Sequence, residues 1–340
     1  MEFSVVNHKL LFTKPAKTSR NTFTERLIRY VVLEENGVQG IGEAAPLKLL
    51  SIDDVDGYDD VLKDSLTQIQ RGASLEELEL SAFPSIRFGL ETALLDLKNG
   101  GNQELFDTDF IKGQAIPING LVWMSDLEAM QAEAVEKIES GFTCIKFKIG
   151  AHDFDAECRL LETIRKRYSA FKLEIRLDAN GAFLPYDSQE KLSDLTRFEI
   201  HSIEQPIASR QWEDMARLCR ESKIDIALDE ELIGATEPEA MLKFIQPQYI
   251  ILKPNLIGGL SASDRWIALA KKHAIGWWAT SALESNIGLN AIAQWVSKYN
   301  TFMPQGLGTG SLYSNNIGSP LQVVNQSLVY RGSWDKELFG

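Results

Sequence analysis

Apolar and polar residues alternate in CIKFKIG (residues 144–150). In an extended chain successive side chains point to opposite faces, so Ile145, Phe147 and Ile149 share one face and Lys146 and Lys148 the other. Similar apolar runs recur as PINGLVW, LEIRLDA, EIHSIEQ, DIALDE, QYIILKP and IGWWATS. Between them lie stretches with helical spacing, such as DLEAMQAEAVEKIES, FDAECRLLETIRKRY, QWEDMARLCRE and SASDRWIALAKKH, and Gly141 stands where a helix C-terminus needs a left-handed residue. Strand and helix in alternation imply a parallel sheet. Seven such strands, with an eighth expected near TFMPQGLG, predict a closed α/β barrel of the (β/α)7β kind. An open, doubly wound sheet is the alternative, but no GxGxxG follows the first strand.

The first 110 or so residues have another rhythm. RLIRYVVLEENGVQGIGEAAPL reads as two short strands around a turn at Asn36-Gly37. The helical stretches DDVDGYDDVLKDSLTQIQ and PSIRFGLETALLDLKN follow, the second with Pro84 near its start. This is an α+β module, and the division expected is 1–112, 113–312 for the barrel and 313–340 for a C-terminal segment.

The barrel strands end, in order, at Lys148, Asp178 (with Asn180 two further on), Glu204, Asp229 (followed by Glu230), Lys253 and Ser281, spaced 24 to 30 residues apart. Strand C-termini form one mouth of a barrel, where catalytic groups reside. Taken singly each motif has a plain explanation. KFK fits a solvent-edged strand, LDAN, IEQP and LDEE fit strand ends running into turns, and LKPN fits a strand stopped by proline. Together they place three carboxylates between lysines on one ring.

Three adjacent carboxylates repel one another unless a hard cation sits among them, and an all-oxygen set selects Mg²⁺, with Mn²⁺ as substitute. Such a ring suits removal of a proton α to a carboxylate. The metal offsets the developing enediolate charge and a lysine takes the proton. That lysine needs a lowered pKa, and the like charge of Lys146 beside Lys148 tends to lower it.

The remaining composition narrows the partners. A net charge of −13 argues against nucleic acid or an anionic membrane. Cys144, Cys158 and Cys219 show no paired spacing, which fits a reducing compartment. MEFSVVNHKLLF has no signal-type apolar core and no stretch reaches membrane-spanning length, so the expectation is a soluble cytoplasmic protein with no obligate protein partner. His8, His152, His201 and His273 are scattered and receive no role.

KFKIG, RLDAN, SIEQP, ALDEE and LKPN resemble the ordered motifs of the enolase superfamily, muconate-lactonizing-enzyme subgroup. GIGEAAPL and PSIRFGLETALLDL resemble its capping domain, so the likeness spans nearly the whole chain. This superfamily is itself a known case of a lysine base working beside Mg²⁺. The resemblance implies that Asp178, Glu204 and Asp229 hold Mg²⁺ and that Lys148 and Lys253 face opposite sides of the substrate. It also implies a cap built from the N-terminal segment and the C-terminal tail, with a mobile loop over the site at KTSRNTF (17–23).

The eighth-strand segment separates reactions within the subgroup, where N-acylamino-acid racemases and muconate cycloisomerases are further candidates. Dipeptide epimerases carry Asp-x-Asp there for the substrate ammonium group. This chain has GLGTG (306–310), whose backbone N–H groups at Gly308 and Thr309 suit an anion instead, although a simple turn accounts for the glycines equally well. GLGTG, TSALESNIGL and PSIRFGLETALLDL are most similar to o-succinylbenzoate synthases. The implied substrate is a small dicarboxylate, 2-succinyl-6-hydroxy-2,4-cyclohexadiene-1-carboxylate, dehydrated to an aromatic product in menaquinone biosynthesis. Asn180, Ser281, Gly308 and Thr309 are the expected substrate contacts. The rival readings are a Schiff-base aldolase using Lys253, which needs no carboxylate triad, and a binding protein without activity.

Overall fold

The computed structural model describes residues 1–17, 21–299, 301–335 and 339. Strands β1 (Glu2–Lys17), β2 (Thr22–Glu35) and β3 (Val38–Ala44) form an antiparallel sheet in that order. Asn36 and Gly37, both at positive φ, make the two-residue turn that the sequence predicts. The strands around it are longer than expected, and β1 is an addition. Its apolar residues do not alternate regularly, and it carries Pro15, which falls between Leu11 and Ala16, where the pairing with β2 is interrupted and shifts register. Of the expected mobile loop, residues 18–20 lie outside the described residues, while Lys17 pairs with Thr22.

Helices α1 (Tyr58–Gln70) and α2 (Pro84–Lys98) cover this sheet, with Pro84 in the first turn of α2, where its missing N–H costs nothing. The approach is close. A Cβ on Gly42 would lie 2.0 Å from Gly89 O and 2.7 Å from Ala93 N, both in the backbone of α2.

The chain then passes through β4 (Ile116–Pro117) into a parallel seven-stranded sheet. Its units are β5 (Gly120–Val122), α3 (Leu127–Glu139), β6 (Cys144–Lys148), α4 (Phe154–Arg167), β7 (Glu174–Asp178), α5 (Ser188–Leu195), β8 (Ser202–Glu204), α6 (Trp212–Glu221), β9 (Asp225–Leu228), α7 (Pro238–Ile245), β10 (Tyr249–Leu252), α8 (Pro254–Ile257), α9 (Gly259–Lys272), β11 (Gly276–Ala279) and α10 (Asn286–Ser297). The strands neighbour one another in sequence order, β5 to β11. Their outward residues, among them Ile145, Phe147, Ile175, Leu177, Ile203, Ile226, Leu228, Ile250 and Leu252, join one large core under the helices. That apolar sheath turns Lys146 and Lys148 toward the barrel axis.

The eighth strand is reduced to two residues. Gln305 N donates to Pro117 O (2.8 Å) and Gly306 N to Ala279 O (2.8 Å), which joins β11 to the segment before β5 and closes the ring. Pro304, with no N–H to donate, stands directly before this stave. The expected first strand is also divided: β4 pairs with β13 (Ser327–Tyr330), which pairs with β12 (Leu321–Val324), and only β5 lies in the barrel. The C-terminal segment touches both units. Asn315 and Tyr313 bond to β1 residues, the β12–β13 hairpin lies beside β4, and the Phe339 ring stacks edge-on against Tyr30.

The Gly42–Gly89 approach gives a direct test. Gly42→Ala overpacks the seam between sheet and helix and is expected to lower unfolding free energy by about 2 kcal/mol, read as a lower urea midpoint with the m-value unchanged.

Candidate active site

The site is assembled by strand register. Lys148 pairs with Asp178, and Asp178 with Glu204, so residues read at successive strand ends stand side by side. Asp229 and Lys253 follow β9 and β10 by one residue, and Ser281 follows β11 by two. Lys253 also caps α8, so Pro254 begins a short helix as well as ending the strand.

Lys146, Lys148, Lys253, Asp178, Glu204 and Asp229 are all buried. Lys146 Nζ donates to Asp178 Oδ2 (2.7 Å) and to Glu204 Oε2. Lys148 Nζ donates to the same Asp178 oxygen (2.5 Å) and to Asn180 Oδ1 (2.9 Å). Lys253 Nζ bonds Asp229 Oδ2 and stands 3.8 Å from Glu204 Oε1. The two lysines of CIKFKIG therefore meet on one carboxylate oxygen. Asn180 donates its backbone N–H to Asp178 Oδ1 (3.0 Å) and its Nδ2 to Glu230 Oε1 (3.0 Å).

Burial disfavours every charge here, and the pairing decides which survive. Asp178 is desolvated, yet Lys146, Lys148 and Lys253 together hold it far below the usual carboxylate range. Glu204 goes the other way, pushed up to about 8 by burial and by the repulsion of Asp178 and Asp229, which its lysines only partly offset. Burial lowers Lys146 and Lys253, but the facing carboxylates outweigh it and raise both, so both stay charged at neutral pH.

As they stand, no group of three or more His, Cys, Asp or Glu side chains among the described residues is arranged to hold a metal ion, because the ammonium groups engage the inner carboxylate oxygens. The donor chemistry nevertheless fits a hard divalent cation. Asp178, Glu204 and Asp229 offer oxygen alone, on consecutive strands, and Glu204 Oε1 is buried without a hydrogen-bond partner.

Supporting residues emerge that the sequence reading passed over. Gln205 Oε1 accepts from the backbone N–H of Asp229 (3.2 Å) and of Glu231 (3.3 Å), fixing the turn that presents Asp229. Glu157 Oε1 accepts from Gly150 N (2.8 Å) and His152 N (3.2 Å), fixing the loop after Lys148. Gly150 has φ +93°, and a Cβ there would lie 2.5 Å from Ala182 Cβ, so the glycine ending CIKFKIG is required by both conformation and space. The tandem acids of LDEE and the Gln of IEQP were the visible signals.

The expected substrate contacts are less united. Asn180 belongs to the cluster. Ser281 Oγ is engaged locally, donating to Glu284 Oε2 (2.6 Å) and accepting from Leu283 N (3.0 Å). Gly308 lies against Ile118 and Asn119, and Thr309 Oγ1 is buried without a hydrogen-bond partner.

This barrel, with acids on three neighbouring strands between lysines, is the architecture of a known class. Residues 129–329 match the family described as enolase C-terminal domain-like, and residues 8–97 match the MenC N-terminal domain. The chain belongs to the enolase superfamily. Within it, the chain is 46% identical to the o-succinylbenzoate synthase of Desulfotalea psychrophila, over 95% of this chain and 97% of that one. The crystal structure of MenC from the same organism superposes with a TM-score of 0.85 at 42% identity, covering 97% and 99% of the two chains. The dipeptide epimerase of Enterococcus faecalis, complexed with Mg and L-Leu-L-Tyr, has a TM-score of 0.86 at 20% identity over 98% and 97%, a likeness of fold.

Glu204 supplies a pH test. Its folded pKa lies above the ordinary carboxylate value, so between about pH 4.5 and about 8 the folded state holds a proton that the unfolded chain has lost. In chelator, this group makes stability fall as pH rises through that window. Glu204→Gln is expected to abolish that part of the fall in Tm, and Mg²⁺ is expected to raise the Tm of the parent protein at pH 8 more than that of the variant.

Proposed function

We propose that the chain is an o-succinylbenzoate synthase. It dehydrates 2-succinyl-6-hydroxy-2,4-cyclohexadiene-1-carboxylate to 2-succinylbenzoate in menaquinone biosynthesis. The observation that carries the mechanism is the order of groups around the mouth: Lys146 and Lys148 on β6, acids at the ends of β7, β8 and β9, and Lys253 after β10. A substrate carboxylate over the acids then has one amine on either side. Asp178, Glu204 and Asp229 would hold Mg²⁺, for which Mn²⁺ substitutes. When bound, the ion supplies positive charge to the carboxylate whose α-carbon loses its proton.

Lys148, in its neutral form, takes that proton. Lys146, kept charged by Asp178 and Glu204, faces the negative enediolate. Lys148 then returns the proton to the departing hydroxyl on the same face, so water leaves in a syn elimination and the ring becomes aromatic. Lys253 stays protonated opposite, stabilising the enediolate by charge and by contact with the ring. Asn180 orients Lys148 through its Oδ1. The second carboxylate lies near Gly308 and Thr309, where no acid opposes it, and Ser281 borders the pocket. Among the described residues no helix is long and apolar enough to cross a membrane, and a cytoplasmic setting suits the charged, soluble substrate.

The experiment is the loss of substrate ultraviolet absorbance, run beside a deuterium-exchange screen of dipeptides and N-acyl amino acids. Efficient dehydration with little epimerisation of L-Ala-L-Glu is expected, since the eighth-strand segment GLGTG carries no acid for an ammonium group. Rapid dipeptide exchange without dehydration would leave only the superfamily assignment. Chelator should abolish turnover and Mg²⁺ or Mn²⁺ should restore it. Lys148→Ala removes acid and base together and should abolish activity, whereas Lys253→Arg keeps the charge and should leave detectable dehydration. Dehydration retained by Lys148→Ala would refute the one-base scheme.

A further inference from the structure

Two motifs far apart in the chain, GIGEAAPL in the capping domain and TSALESNIGL after β11, interlock at buried groups that the proposed mechanism does not use. Glu43 Oε2 accepts from Ser285 Oγ (2.5 Å) and from Gly288 N (3.0 Å), and the carboxylate also accepts from Ser285 N (3.1 Å). Ser285 in turn caps α10, accepting from Ile287 N (3.1 Å). Gly288 is needed for this approach, because a Cβ there would lie 2.9 Å from Glu43 Oε2. Arg26, on β2, bridges two backbone carbonyls with its guanidinium. It donates to Ala282 O in the barrel and to Ala45 O in the cap (2.6 Å). Ala45 O also accepts from Asn255 Nδ2 (2.8 Å), two residues beyond Lys253.

The segment held between these contacts is not relaxed. Leu283 has φ +67°, a region unfavourable for a bulky L side chain, and such outliers persist only where surrounding structure enforces them. Its backbone is gripped on both sides: the N–H donates to Ser281 Oγ (3.0 Å) and the carbonyl accepts from Tyr313 Oη (2.6 Å). Its side chain packs in a cluster with Leu47 from the cap, Ala282, and Ile233 and Leu256, which closely follow Asp229 and Lys253.

We propose that Arg26 and Glu43 are positioning residues through which the capping domain holds loop 281–285 in its strained form, so that Leu283 supplies the apolar side of the substrate pocket. The role rests on the dehydratase reading. It places neither residue on the reacting atoms. Arg26 suits the task because a planar fork can serve two carbonyls at once, which a single ammonium group cannot. If the clamp is released, the loop can relax to negative φ, and the pocket loses a wall while the lysines and acids keep their register. Binding of the non-reacting part of the substrate then weakens and the chemical step is spared.

The test combines amide hydrogen exchange with steady-state kinetics. In Arg26→Met and Glu43→Ala, exchange across residues 281–288 is expected to speed up at least tenfold while β6, β7 and β8 keep their protection. KM for the cyclohexadiene substrate should rise fivefold or more, with kcat within threefold of the parent. Glu43→Gln, which keeps an acceptor for Ser285, should recover most of both effects. If Arg26→Met fails to fold, Arg26→Lys carries the test, with at least threefold faster exchange at 281–288. A lower Tm with no selective exchange in this loop, or a fall in kcat at unchanged KM, overturns the proposal. Absence of dehydration in the parent protein overturns the functional reading, and the exchange data still decide whether the clamp exists.

Discussion

Three carboxylates on adjacent parallel strands cannot all be ionised in a buried barrel mouth without nearby positive charge. In this structure the charge comes from Lys146, Lys148 and Lys253, which lie at the flanks of the acid array and reach inward. Glu204, in the middle, has neighbours of its own sign on both sides and is the least comfortable of the three. The rest of the barrel follows from keeping that array in place. Outward apolar residues pack beneath the helices and leave the charged alternates no direction but inward. A one-residue slip in any strand would exchange the two sets and bury lysines under helices.

The capping domain contributes none of the lysines and acids of this array. Its sheet is locked to α2 by glycines that let backbone meet backbone, and its buried polar groups reach across to the barrel. Glu91 of α2 accepts from Leu260 N (2.6 Å) and Ser261 N (2.9 Å) at the start of α9, the helix beyond Lys253. Arg26, Asn255 and Glu43 make comparable links around the loops after β10 and β11. A buried hydrogen bond of this kind matters less for its net energy than for the penalty of leaving either partner unpaired. That penalty sets the register between cap and barrel.

Much of this was legible along the chain because it is local and periodic. Alternation within CIKFK, EIRLD and DIAL specifies strands with one apolar face, and spacing of one βα unit brings Lys148, Asp178, Glu204, Asp229 and Lys253 to one mouth. The Asn36-Gly37 turn was equally legible, since its conformation depends on those two residues. Other features were not. The N-terminal strand lacks regular alternation, and the eighth stave consists of two residues, Gln305 and Gly306, whose partners Ile118 and Thr280 lie about 190 and about 25 residues earlier in the chain. No short-range pattern encodes a bridge of that length.

The sequence by itself therefore determined the type of chemistry: which residues stand at strand ends, their charge, and the all-oxygen donor set they form. Only the tertiary structure decided which oxygens each lysine engages, that Ser281 is taken up by Glu284, and that Glu43 and Arg26 reach loop 281–285. The division has a physical cause. Strand periodicity and βα spacing are fixed by backbone geometry over a few residues. Contacts between cap and barrel depend on how two independently patterned units come to rest against each other, and burial then leaves each polar group only the partners within reach.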